Sequence, residues 1–341
     1  MIVTMIPTRN SIRDLVFSVA KYSEFIGVVL TAVIFVVLFN CPIWLALVII
    51  ENEWSFAAID PSDPKEFWYQ IIAIYHSSKL TLLILCSLMA LVAVYFSTQN
   101  NRLSTGIRML VVAEHSMWIF FCICVLYVDG CAGTVFSSIQ CTSNFTTTLA
   151  NDISFSLNYV VDFARYCQFG ISLSRFLAVS FDGFYFQYTL KKPLLQLVSP
   201  FILRIILGLI YQFASPALQD FIDRNLLCFP FMLTYSLDIF TNRKMKILGQ
   251  SGKVSHVDVL LLKQMLSSTI LNVTEVCFIV IFQLSALLFF VPSVYDPNDH
   301  SVPFIMYIFV GFSFLTSTTT AHFLRKRQDE APSREVRTAT S

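Results

Sequence analysis

Residues 25–50 read FIGVVLTAVIFVVLFNCPIWLALVII, 26 positions without a charged side chain. The hydrocarbon core of a bilayer is about 30 Å thick, and a helix crosses it with about 20 apolar residues. The stretch is too long for the apolar core of a signal peptide and lacks a clear small-residue cleavage site. Lys21 precedes it, and Glu51 and Glu53 follow it. It reads as an uncleaved transmembrane anchor (25–50) that leaves residues 1–24 in the cytosol and opens an acidic outer loop.

The rest of the chain has the same character. Of 341 residues, 56% are hydrophobic and 13% charged, against about 45–50% and about 25% in soluble domains. That balance excludes an ordinary soluble enzyme. With 10 Gly and 12 Pro, it is neither a collagen nor a disordered chain. A net charge of +1 gives no electrostatic case for a nucleic-acid partner. Further apolar segments follow at Ile71–Phe96, Met109–Val128, Ile153–Phe181, Pro193–Ala214, Leu226–Phe240, Met265–Val291 and Pro303–Leu324. The expected fold class is all-α: a polytopic transmembrane helical bundle with a seven-helix core over 65–328, surrounded by membrane lipid. The polar tail over 329–341 reads as disordered and cytoplasmic.

Basic residues hold cytoplasmic loops inside during insertion. With the N-terminus inside and all eight segments spanning, 17 of the 23 Lys and Arg fall inside. They cluster at Arg9–Lys21, Arg102–Arg108, Lys191–Lys192, Arg243–Lys263 and Arg325–Arg337. Only Lys65 and Arg224 fall outside. Leu226–Phe240 is the weakest segment. It counts as a span because the Arg243–Lys246 cluster and the tail would otherwise move outside. The sequon Asn144-Phe145-Thr146 then lies in an outer loop, where Asn144 can be glycosylated. Cys131 and Cys141 lie in the same loop, on an oxidising side. A second sequon at Asn272 falls within a span and is expected to be silent.

No His-Glu-x-x-His, Gly-x-Ser-x-Gly or Walker loop occurs, so neither an enzyme nor a cofactor is expected. The five His lie in separate segments without metal-ligand spacing. Cys122 and Cys124 point apart on one helix, and most Cys read as small apolar residues.

Charges within spans are costly and usually face the bundle interior. Asp162 and Arg165 share one helix face at roughly 14–18 Å into their span, and they can pair with each other. Arg204 and Glu275 lie at similar depth in their own helices. The four form a candidate intramembrane polar network, either as packing ion pairs or as part of a switch or ligand site. Lys79, about 12 Å from the outer end of its helix, is expected to snorkel outward. Arg175 falls at the inner interface, where an Arg also serves as a plain positive-inside anchor.

Arg175 lies in Leu173-Ser174-Arg175-Phe176-Leu177-Ala178-Val179, and an aromatic inner loop, Phe181 to Tyr188, follows. A seven-helix core whose third helix ends this way resembles a G-protein-coupled receptor. More narrowly, it resembles the nematode serpentine chemoreceptors of the class epsilon, alpha and beta type, over roughly residues 65–328. The resemblance implies a small-molecule ligand at the outer side, held by Phe, Tyr and Met side chains. It implies a heterotrimeric G protein at the inner side, met by Arg175, Arg243, Lys244 and Lys246. It also implies residence in the plasma membrane, including that of sensory cilia.

The chain departs from that pattern in several places. Ser174 stands where the family has Glu, so the usual acid–Arg lock is missing. The last helix lacks Asn-Pro-x-x-Tyr, and Met265–Val291 lacks Cys-Trp-x-Pro. The last helix also has no Lys for a retinal Schiff base. A receptor-type disulfide would join Cys141 to Cys228, with Cys131–Cys141 as the competing pairing. The rival reading is a multipass transporter or channel that uses Asp162, Arg165, Arg204 and Glu275 as an ion or proton path. The absence of internal repeats and of Gly/Pro-broken helix pairs weighs against it.

Overall fold

The computed structural model describes residues 23–37, 65–100, 103–131, 144–180, 191–222, 229–250, 267–271, 273–275, 277–278, 281 and 297–329. All regular structure among them is helical. In chain order the helices are α1 (Ser23–Val37), α2 (Lys65–Gln99), α3 (Thr105–Cys131), α4 (Asn144–Val179), α5 (Pro193–Phe213), the short α6 (Pro216–Phe221) and α7 (Phe229–Gln250). Then come α8, described in parts over 267–281, and α9 (Pro297–Asp329). Three described stretches are long and apolar enough to cross a membrane: Ser78–Gln99 of α2, α3 and α5. Several helices outrun the apolar segments read from the sequence. α2 begins at Lys65 and α4 at Asn144, because a nucleated helix keeps adding hydrogen bonds past the apolar boundary. The anchor expected over 25–50 is described only as far as Val37. The tail from 330 onward and both sequon asparagine side chains lie outside the described residues.

The helices turn apolar faces outward and bury polar side chains among the apolar ones, whereas a soluble bundle turns polar faces outward. On α5, Ile202, Ile205, Ile206 and Leu209 form one helical stripe, and each is about half exposed. On α9, Ser313, Thr316, Ser317 and Thr320 repeat at the same spacing and are buried. Thr234, Asp238 and Thr241 do likewise on α7. Such an exterior is stable against lipid, not against water. Several hydroxyls bond along their own helices: Ser87 donates to the Leu83 carbonyl at 2.9 Å, and Thr234 to that of Pro230 at 2.8 Å. That removes unpaired donors from a medium that cannot solvate them.

α3 packs between α2 and α4. One apolar cluster joins Leu83 and Cys86 of α2, Trp118 and Phe121 of α3, Val161 and Ala164 of α4, and Val310 of α9. A second joins Leu103, Ile107 and Leu110 to Cys167, Ile171 and Leu324. Small residues set the closest approaches. A Cβ at Gly170 would stand 3.2 Å from Leu110 and 3.6 Å from Pro200, so α3, α4 and α5 meet there. At Gly106 a Cβ would overlap the Gln196 amide oxygen at 1.8 Å. α9 closes on α2, where Cys86 Sγ lies 3.0 Å from Ser313 Oγ. α7 runs beside α4 in the same direction, with Tyr166 on Phe231 and Phe176 in one cluster with Leu237.

α1 lies antiparallel to α7. Its buried stripe of Val28, Ala32 and Val36 meets Leu237, Met232 and Tyr235, and Glu24 accepts from Lys244 at 2.8 Å. One end of the bundle therefore gathers the start of α1, the end of α2, the start of α3, the end of α4, the start of α5 and the ends of α7 and α9. Arg108, Lys191, Lys192, Arg243, Lys246 and Arg325 all belong to that end.

Lys79 corrects the sequence reading. It does not snorkel: it is 6% exposed, with Nζ 2.7 Å from Asp129 Oδ2. The antiparallel packing of α2 on α3 supplies the countercharge, so burial costs less than its depth alone suggests.

Candidate functional site

α4 carries most of the interior chemistry. It is long and crosses the middle of the bundle, so successive turns face different neighbours. Asp162 accepts from Arg204 Nε of α5 at 2.9 Å, and the Arg204 guanidinium lies 4.3 Å over the Tyr159 ring. One turn further, Arg165 Nη2 donates to Glu275 Oε1 of α8 at 2.5 Å. The four residues singled out from the sequence thus meet as two pairs, one turn apart along α4. Asp162 and Arg165 each turn to a separate helix.

Arg165 is the hub of the outer cavity. Its guanidinium lies 5.0 Å from the Phe231 ring centroid of α7 and 4.5 Å from that of Phe309 of α9, a geometry that attracts the cation to the ring faces. Trp118, Tyr235, Phe312 and Ser313 also line the cavity. Phe231 is the third residue of α7, so this cavity opens toward the end of α7 read as outer.

A second cavity lies beyond it, with about 40 Å³ of space, enough for a few waters at about 10–15 Å³ each. Glu114 of α3, Ser172 and Arg175 of α4, Asp238 of α7, and Ser268 and Thr320 line it. Asp238 accepts from Thr269 Oγ1 of α8 at 2.7 Å. The charge of Arg175 acts on both Glu114 and Asp238. Arg175 is 9% exposed. It lies inside the bundle, facing carboxylates of two neighbouring helices. Ser174 beside it takes a different role: it accepts from Gln196 Nε2 of α5 at 3.2 Å.

The two cavities share Gln168, Thr234 and Thr316. Gln168 donates to Glu114 Oε1 at 2.7 Å, which makes it the wall between them. Asp162 and Arg204 line neither cavity.

Arg243 and Lys246 are exposed at the end of α7, while Lys244 is half-buried in its pair with Glu24. Cys131 ends α3 in a disulfide; Cys141 and Cys228 lie outside the described residues. Asn144 is the first residue of α4. Sequence reasoning passed over Gln168, Trp118 and the inward roles of Glu114 and Asp238. The signal for the two acids was their charge inside a helix; nothing marked Gln168 or Trp118.

Comparison with protein-family models, with curated proteins and with solved structures finds no match to this chain. What stands is physical. All regular structure among the described residues is helical, and three of the helices are long and apolar enough to cross a membrane. The chain's polar groups are gathered inside, on helices whose outer faces are apolar.

Proposed function

We propose that the chain is a G-protein-coupled receptor-like chemoreceptor, with a seven-helix core of α2–α5 and α7–α9. It detects a small molecule from the outer side and signals to a heterotrimeric G protein inside. The plasma membrane, including that of sensory cilia, is where such a receptor acts. The observation that carries the reading is the placement of two arginines on one helix. Arg165 joins α4 to α7, α8 and α9 in the outer cavity. Ten residues on, about 15 Å along the axis, Arg175 faces acids of α3 and α7 in the inner cavity. Gln168 stands between, so a rearrangement at one arginine is felt at the other. A ligand that prefers one arrangement of the outer cavity shifts the inner one by its difference in affinity.

Further support comes from the circuit of contacts, which runs α2, α3, α4, α7, α8, α9 and back to α2. The Cys131 disulfide supports an oxidising side at that end of α3. Arg243 and Lys246 then offer exposed charge to an inner partner. In place of the missing Glu before it, Arg175 shares its cavity with Glu114 and Asp238 of neighbouring helices.

The alternative, an ion or proton path, draws on the shared polar lining of the two cavities. Against it, Asp162 and Arg204 stand off that lining, so the four intramembrane charges do not form one path. Reconstitution in liposomes with a heterotrimeric G protein tests the choice. We expect Asp238→Asn to change guanine-nucleotide exchange while the membrane stays tight to protons. Proton flux without any exchange would sink the receptor reading.

A further inference from the structure

Trp118 is 4% exposed, and its indole Nε1–H finds no acceptor among the described residues. Buried donors in folded proteins are nearly always paired, so this one marks a place for an acceptor. It lines the outer cavity with Arg165. A guanidinium offers five N–H donors in one plane and accepts nothing. Glu275 is the carboxylate that meets it, and Phe231 and Phe309 flank it with apolar surface. The cavity is thus rich in donors and aromatic rings, and its one acid is already engaged. A ligand amine would have to enter beside a permanent cation. A ligand acid would replace one carboxylate by another.

We infer that the outer cavity binds a small carboxylic acid with an apolar or aromatic body, which takes Arg165 from Glu275 and reaches the Trp118 indole. The signalling consequence rests on the receptor reading; the binding does not. The step balances if the acid enters neutral. Its O–H bond breaks, the proton passes to a Glu275 oxygen, and the ligand carboxylate pairs with Arg165 in place of the Glu275 carboxylate. No charge is left uncompensated. The cavity has about 10 Å³ of space, room for about one water. The ligand fits only as α8 moves from α4, so binding and release of the α4–α8 pair are one event.

The test uses the purified full-length chain in lipid nanodiscs with phenylacetate and hexanoate as probes, each beside its amine and alcohol counterpart. We expect at least one acid to raise the thermal unfolding temperature while its amine and alcohol do not. Trp118→Phe keeps an aromatic ring and loses the N–H; measured against its own ligand-free state, it should respond to that acid several-fold more weakly. Glu275→Gln removes the competing carboxylate and should tighten the acid roughly ten-fold. Stabilisation by the amine or alcohol equal to that by the acid overturns the inference. So does the absence of any acid effect, or acid binding indifferent to both variants. Guanine-nucleotide exchange in the same nanodiscs separates the two claims. Acid binding without exchange removes the receptor reading and keeps the acid site. Exchange raised in Glu275→Gln without acid binding does the reverse.

Discussion

Arg204 on α5 holds Asp162 on α4 at 2.9 Å while its guanidinium stacks 4.3 Å over Tyr159 of the same helix as Asp162. The two side chains are 7% and 15% exposed, so each buried charge is stabilised by the other. Arg204→Leu removes a hydrogen-bonded countercharge from the buried Asp162 carboxylate and should cost about 3–5 kcal/mol. The pair Arg204→Leu with Asp162→Leu should cost much less, because no charge is left behind. Arg204→Lys should fall between, since an ammonium lacks the flat face that stacks on Tyr159. Thermal unfolding in mild detergent ranks the three; equal losses for the single and double changes would contradict the pairing.

A charge exchange checks Lys79 and Asp129. Either residue replaced by Ala takes the 2.7 Å countercharge from a buried partner, a loss of about 3–5 kcal/mol. Lys79→Asp combined with Asp129→Lys should recover part of that loss, because the pair links two adjacent antiparallel helices. If Lys79 instead reached the interface, Lys79→Ala would be nearly neutral and the exchange would restore nothing.

Gly106 sets the approach of α3 to α5. A Cβ there would meet the end of the flexible Gln196 side chain, which can rotate away only by giving up Ser174. Gly106→Ala should therefore cost about the 1 kcal/mol of one hydrogen bond, and not the larger penalty of a rigid clash. In a Gln196→Ala background, where that bond is already gone, the same change should cost close to nothing. Additive losses would show that backbone, not Gln196, resists the methyl.

The Glu24–Lys244 pair is expected to matter little for stability. Its side chains are 38% and 31% exposed, and such pairs contribute about 0–1 kcal/mol. Val28, which is fully buried beside Phe176 and Leu237, carries far more. Val28→Ala should loosen α1 from α7 more than Glu24→Gln does, as read by cysteine cross-linking between the two helices.

The apolar segments could be read directly from the sequence, and so could the four intramembrane charges. Their partners could not. Asp162 and Arg165 are spaced to face each other on one helix, yet each finds its countercharge on another, 42 and 110 positions away. α5 brings an opposite charge to Asp162 and α8 brings one to Arg165. Lys79 was misjudged for the same reason: depth is a property of one helix, but Asp129 comes from the next. Arg175 reads as an interface residue by its distance along α4. In the fold it is buried and lines a cavity together with Glu114 and Asp238.

The sequence by itself determined that most of this chain is apolar enough to sit in lipid, and it set the expectation that the cationic loops share one side. Both follow from transfer costs summed residue by residue along the chain, with no knowledge of neighbours. Only the tertiary structure decided that Arg165 meets Glu275, that Gln168 divides two cavities and that Trp118 turns its N–H inward. Those facts depend on how far each helix is rotated about its own axis, and that rotation is set by close packing against helices distant in sequence.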